Sequence, residues 1–266
     1  MRYNICVVAT VLTIASVLSG CTIGASTDTA SNKSKNSAKH SVKPQENRSN
    51  PVVPPKPGPT EDTVHKNGKN ANVLTILDEL NVKGRAPKTG YSRDLFGYAW
   101  KDMDRNGCDT RNDILKRDLI NVIYDKGSDC VIVTGTLNDP YGGSTIGFVR
   151  GQTTSTAVQI DHLVALSDAW QKGAQQWSVE KRETFANDPL NLVAADGPLN
   201  MQKSDGDAAT WLPPNRKYWC DYVVGQIAVK RAYSLSVTSA EKSVMRGIVE
   251  QCPQEKILSS QMWTTP

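Results

Sequence analysis

The chain carries three histidines, His40, His65 and His162, and only the last lies in a stretch with enough apolar residues to fold. An imidazole with a pKa near 6.5 accepts a proton from water at neutral pH far better than an aspartate near 3.9. His162 is therefore the candidate general base. A single such histidine excludes mechanisms that need two, the His-Asp-His zinc hydrolases and the paired-histidine phosphodiesterases among them. Asp161 precedes it and Asn200 follows 38 residues on. Together they offer a carboxylate and a side-chain amide oxygen, the ligand types that a hard divalent cation such as Mg²⁺ prefers while it keeps several waters. Consecutive residues of a regular strand point to opposite faces, so Asp161 and His162 share a site only if the strand ends there.

The order Asp161-His162, then Asn191-Leu192-Val193, then Asn200-Met201-Gln202-Lys203-Ser204-Asp205 resembles the HNH (ββα-metal) endonuclease superfamily. Trp211-Leu212-Pro213 and Cys108-Asp109-Thr110-Arg111-Asn112 resemble its secreted actinobacterial-type branch, and the likeness runs from about Tyr91 to Cys252. The resemblance implies metal-dependent hydrolysis of phosphodiester bonds in DNA, with RNA as an alternative substrate and low sequence specificity. His162 would activate water, Asp161 and Asn200 would hold one Mg²⁺ or Mn²⁺, and Asn191 would orient the hairpin. Lys203 and Arg111 are candidate phosphate contacts, Lys as a point charge and Arg as a planar fork. No helix clusters Arg and Lys as a reading head would, so sequence-specific DNA recognition has no support.

Other polar and aromatic positions have blander readings. Asp205 and Asp207 either order the loop after the Asn200 segment or are simply exposed. Trp170, Trp177, Trp211 and Trp219 could stack bases but are spaced as core residues. Asp102, Asp104, Asn106 and Asp109 resemble the opening of a calcium loop, yet the closing bidentate Glu is absent and Asp113 stands nearest in its place.

These residues need positioning elements. Val73-Leu74-Ile76-Leu77-Leu80 repeats at helical spacing. Ser92–Trp100 and Asn112–Ile123 read as helical, and Val131–Thr136 with Ser144–Val149 as a hairpin across the turn Asn138–Gly143. Ala157–Ile160 is a strand running into Asp161-His162, followed by helical patterning over Ser167–Trp177 and Val179–Ala186. Asn191–Ala195 is another strand, and Asp196-Gly197-Pro198 reads as an N-cap with proline in the first turn of the Asn200 helix. Lys217–Tyr233 and Ser239–Cys252 are helical. The class is α+β: a ββα-metal core with a small antiparallel sheet and flanking helices.

At the N-terminus, Arg2 and the apolar run Ile5–Leu18 read as a secretion signal, too short to span a bilayer as a mature helix. Its end, Leu18-Ser19-Gly20-Cys21, resembles a bacterial lipobox, with Cys21 as the diacylated anchor. Residues 1–20 are thus the signal peptide, 21–70 a Ser/Lys/Pro-rich tether and 71–266 the nuclease domain, a monomer lipid-anchored on the extracellular face of the membrane. The net charge is +4, but residues 21–70 hold 8 Lys/Arg against 4 Asp/Glu and residues 71–266 hold 22 against 23. The basic excess belongs to the tether and says little about nucleic acid. Cys108, Cys130, Cys220 and Cys252 remain, an even number in an oxidising compartment. Of three connectivities, Cys108–Cys130 with Cys220–Cys252 closes the shortest loops. The same sequence allows a competing reading, a non-catalytic surface-binding lipoprotein on this scaffold.

Overall fold

The structure, a computed structural model, describes residues 68–252. The readings placed on the signal segment, Cys21, His40, His65 and nearly all of the tether lie outside these residues. In chain order the elements are α1 (Gly68–Glu79), α2 (Thr110–Asp118), β1 (Leu119–Tyr124), β2 (Ile132–Asn138), β3 (Thr145–Val149), β4 (Val158–His162), α3 (Leu166–Gln171), α4 (Val179–Asn187), β5 (Leu192–Asp196), α5 (Gly197–Lys203), α6 (Trp219–Tyr233) and α7 (Ser239–Val249). β1, β2 and β3 form one antiparallel sheet in that order, and β4 and β5 a separate antiparallel pair. The fold is mixed α and β with small antiparallel sheets.

Two stretches read as helical behave otherwise. Helix α2 starts where the Asp109 side chain accepts the Asn112 N–H and stops at Asp118, and Leu119–Tyr124 continues as strand β1. Ile120, Val122 and Ile123 are β-branched and fit a pleated strand better than a helix. The pairing with β2 shifts register around Asn121, whose φ of 55° marks the irregularity. Of Ser92–Trp100, only Arg93–Phe96 coils, as a single 3₁₀ turn capped by the Ser92 hydroxyl. Gly97, at φ 78°, ends it.

Three apolar clusters hold the elements together. Val73, Leu77 and Leu80 of the first helical segment pack on α6 and α7 through Val223, Ile227, Met245 and Val249. Phe96, Trp170, Phe185, Val229 and Tyr233 form a second cluster rich in edge-on ring contacts, with Phe185 and Tyr233 centred 4.9 Å apart. The third lies between the three-stranded sheet, α2 and the β4–β5 pair, through Leu115, Ile132, Leu137, Phe148, Ile160 and Ala194. Trp170 belongs to the second core, Trp177 packs against it, and Trp211 and Trp219 pack on the first. None of the four is a free stacking platform.

Two disulfides are formed, Cys108–Cys130 across 22 residues and Cys220–Cys252 across 32, the second joining the start of α6 to the segment just after α7. Closing loops of this length contributes about 3 kcal/mol each by restricting the unfolded chain. Reduction is accordingly expected to lower Tm by roughly 10 °C or more. Thermal melts with and without reductant, paired with thiol counting, check this; an unchanged Tm in protein whose four thiols all label would contradict it.

Candidate functional site

The site is built at the junction of β4, β5 and α5. Strand β4 ends at His162, where the Leu163 N–H donates to the Asn191 carbonyl at 2.8 Å. Because the strand stops there, Asp161 and His162 open into the same cleft, of about 330 Å³, which is also lined by Lys88, Arg93, Ser167, Asn200 and Asp205. Asn191 is fully buried and acts as an inserted peptide group. Its Oδ1 accepts the Val164 N–H at 2.8 Å and its Nδ2 donates to the Val164 carbonyl at 3.2 Å, fixing the chain as it leaves β4.

Helix α5 begins as its sequence demands, with Asp196 Oδ1 accepting the Leu199 N–H at 2.8 Å and Pro198 in the first turn. Gly197 is required there, since a Cβ would sit 2.0 Å from the Thr156 carbonyl oxygen. That close approach lays α5 against the start of β4 and brings Asn200 to the cleft.

His162 is buried, and its Nε2 lies 2.8 Å from the Ala186 carbonyl at the end of α4. A carbonyl can only accept, so Nε2 carries the hydrogen and Nδ1 is left as the basic nitrogen. Burial pulls the imidazole pKa down to about 4; the Ala186 bond opposes this, and the Arg93 charge adds to it. At neutral pH His162 is an uncharged proton acceptor. The Trp100 ring lies nearly parallel to the imidazole, with centroids 6.4 Å apart.

Asp161 is almost fully committed. Its Oδ2 accepts the Tyr141 hydroxyl at 2.5 Å and pairs with Lys203 Nζ at 2.9 Å, while Oδ1 has only a longer contact to Lys203 at 3.2 Å. Tyr141 stays protonated, its pKa raised well above the ordinary value by burial and then by the Asp161 charge. Lys203 therefore does not face solvent as expected of a phosphate contact. It is buried, bridging Asp161 and the His162 carbonyl, the latter at 2.7 Å, and so braces the end of β4. Arg111 is also elsewhere: its guanidinium reaches the Val158 carbonyl at 3.4 Å, at the opposite end of β4 from His162.

Asn200 Nδ2 donates to Gln159 Oε1 at 2.9 Å, which turns the amide so that Oδ1 has no partner among the described residues. Among the described residues no three His, Cys, Asp or Glu side chains gather as a metal cluster. The oxygens that would suit a hard cation are the lightly used Oδ1 of Asp161 and the free Oδ1 of Asn200, on an open cleft where waters would complete a shell. The residues present fit such an ion.

Sequence reasoning missed Tyr141, Asp139, the cations Arg85, Lys88 and Arg93, and the partners that Asp205 and Asp207 take in this region. Tyr141 sits in the β2–β3 turn, and Asp139 of that turn accepts the Asp196 N–H at 3.0 Å, tying the turn to the end of β5. Arg85, Lys88 and Arg93 come from the segment before α2. Asp205, on the loop after α5, pairs with Lys88 at 2.9 Å and accepts the Ser167 hydroxyl at 3.0 Å. Asp207 is buried between Arg85 and Lys172, each at 2.8 Å. Lys172 also reaches Asp168 and Glu241 at 2.8 and 2.7 Å, and Lys230 reaches the same two at 3.2 and 3.0 Å. Three carboxylates thus face Lys172, Lys230 and Arg85, and the set joins α3, α6, α7 and the loop after α5 behind the cleft. By contrast, the Asp102–Cys108 loop closes on itself, with Asp102 and Asp104 accepting the N–H groups of Asn106 and Gly107.

Residues 109–248 match the family described as GmrSD restriction endonucleases, C-terminal domain. The chain belongs to this family. The matched region spans α2 to α7 and contains Asp161, His162, Asn191 and Asn200. The segment bearing Arg85, Lys88 and Arg93 precedes it. A protein of Arthroderma benhamiae described as an uncharacterized secreted protein is 38% identical over 203 residues, 76% of this chain and 93% of the relative. No helix of the described residues is long and apolar enough to cross a membrane.

Proposed function

We propose that the protein is an extracellular, metal-dependent endonuclease of the HNH (ββα-metal) kind that hydrolyses phosphodiester bonds of DNA with low sequence specificity, with RNA as a second substrate. The observation that carries this reading is His162 held at the end of β4, with its Nε2 on the Ala186 carbonyl, beside Asp161 and the free Oδ1 of Asn200. The family description supports the same chemistry.

In this reading the neutral His162 takes a proton at Nδ1 from the water that attacks phosphorus, and the P–O3′ bond breaks to leave a 5′-phosphate and a 3′-oxyanion; solvent water protonates the oxyanion to the 3′-hydroxyl, and the imidazolium returns its proton to solvent. The negative charge of a phosphodiester entering the cleft raises the imidazole pKa from its low resting value and strengthens the base. Asp161 and Asn200 would hold Mg²⁺ or Mn²⁺, which would supply stabilisation of the charge that develops as the phosphodiester is cleaved. Lys203 and Tyr141 fix the Asp161 carboxylate, and Asn191 keeps the ends of β4 and β5 in register. Cleavage of plasmid and RNA by the purified protein, with and without divalent metal, tests the assignment.

The secreted relative supports a location outside the cell, and the Leu18-Ser19-Gly20-Cys21 sequence supports lipid attachment there. Cys21→Ser is expected to leave the fold intact and move the protein from the membrane fraction to the soluble one. Retention of the variant on membranes through high-salt washing would contradict the anchor.

A further inference from the structure

The cations expected to meet substrate, Lys203 and Arg111, do not line the cleft, yet the cleft is not without positive charge. Lys88 and Arg93 line it from one wall. Lys88 is spoken for: its Nζ pairs with Asp205 at 2.9 Å and lies 5.5 Å from the centre of the Tyr91 ring. This pairing neutralises the Asp205 carboxylate, which would otherwise repel a phosphate chain. Arg93 is exposed, and no described residue forms a hydrogen bond or ion pair with it.

The Arg93 backbone is nevertheless rigidly seated. It opens the 3₁₀ turn capped by Ser92. Phe96 of that turn is buried between Trp170 and Phe185, with ring centroids 6.5 and 6.1 Å away. Tyr91, two residues before it, packs edge-on against Trp170 at 6.0 Å. Upstream, Arg85 is tied to Asp168 and Asp207, and the Ala86 N–H donates to the Gln171 carbonyl at 2.8 Å. A guanidinium without a partner, on a fixed turn at the mouth of the cleft, is pre-organised for bidentate contact with an anionic oxygen pair.

We infer that Arg93 is the residue that grips the sugar–phosphate backbone of the nucleic-acid substrate beside the scissile bond, so that the segment before the family-matched region completes the binding cleft. This rests on the nuclease reading above. Because the contact is to phosphate, it positions the strand without reading its sequence.

The test measures binding of full-length protein to a fluorescein-labelled 20-base-pair DNA duplex in EDTA, by anisotropy across a salt series. Wild type, Arg93→Gln, Arg93→Lys and Lys116→Gln are compared, the last removing an exposed cation of α2 that does not line the cleft. Arg93→Gln is expected to weaken binding about tenfold and to lower the slope of log K against log salt by about one. Arg93→Lys should restore the slope but only part of the affinity, since it keeps the charge and loses the fork. Lys116→Gln should match wild type. If wild type binds and Arg93→Gln has the wild-type slope and affinity, or falls no further than Lys116→Gln, the Arg93 assignment is wrong while the nuclease reading stands. If wild type shows no binding at low salt, both fall together.

Discussion

Replacing His162 by alanine is expected to reduce DNA cleavage by at least roughly 10²–10⁴-fold while leaving metal affinity close to wild type. No other described residue is a histidine, and the Ala186 carbonyl that orients the ring cannot itself accept a proton from water in the imidazole's place. Asn200→Ala should fail differently. It removes the free Oδ1 offered to the cation, so affinity for Mg²⁺ or Mn²⁺ should drop and activity should recover in part as metal is raised. Asp161→Ala should resemble Asn200→Ala and add a loss of stability, because it leaves buried Lys203 and Tyr141 without their shared acceptor. Calorimetric metal titration and plasmid cleavage on the three variants separate base from ligand. Cleavage by His162→Ala at near the wild-type rate would remove the general base from the mechanism.

Lys172→Met is expected to destabilise the fold by about 3–5 kcal/mol, a fall in Tm on the order of 10 °C. The substitution keeps the length of the side chain and deletes the ammonium that Asp168, Asp207 and Glu241 share at 2.7–2.8 Å in a fully buried position. What remains is surplus negative charge with no water to receive it. The same cluster sets an acid limit. Burial alone would raise the Asp207 pKa, but the Lys172 hydrogen bond and charge, then those of Arg85, outweigh it and hold the carboxyl below the ordinary range. A depressed folded pKa means that the stabilisation is fully present above the ordinary carboxylate pKa near 3.9 and is lost as pH falls from there toward the folded value. Tm measured between pH 6 and 2 should therefore fall steeply below about pH 4 in wild type and less steeply in Asp207→Asn. Equal slopes for the two proteins would show that Asp207 does not carry the acid sensitivity.

The elements nearest the chemistry were the easiest to read from sequence. β4 and β5 are short apolar runs ending at polar residues, and Asp196-Gly197-Pro198 announces a helix start through local capping chemistry that tertiary contacts need not supply. β1 was not legible, because its β-branched run follows α2 with no glycine or proline between them. Its strand state depends on pairing with β2, a partner that local pattern does not reveal. The same limit applied to side chains. Asp161, His162, Asn191 and Asn200 were visible as a spaced set, whereas Lys203 read as a phosphate contact, and only the packing of α5 turns it under β4. Little in the local pattern marks Tyr141 or the Lys172 cluster, since Tyr141 meets Asp161 20 positions on and Lys172 meets Asp207 and Glu241 35 and 69 positions on.

The most direct measurement is incubation of the purified full-length protein with supercoiled plasmid in Mg²⁺, in Mn²⁺ and in EDTA, with His162→Ala alongside. The nuclease account predicts nicked and linear products with either metal, none in EDTA and a severe loss in the variant. Wild-type protein that binds the plasmid but leaves it supercoiled in both metals would contradict the account and favour a binding protein built on the same scaffold.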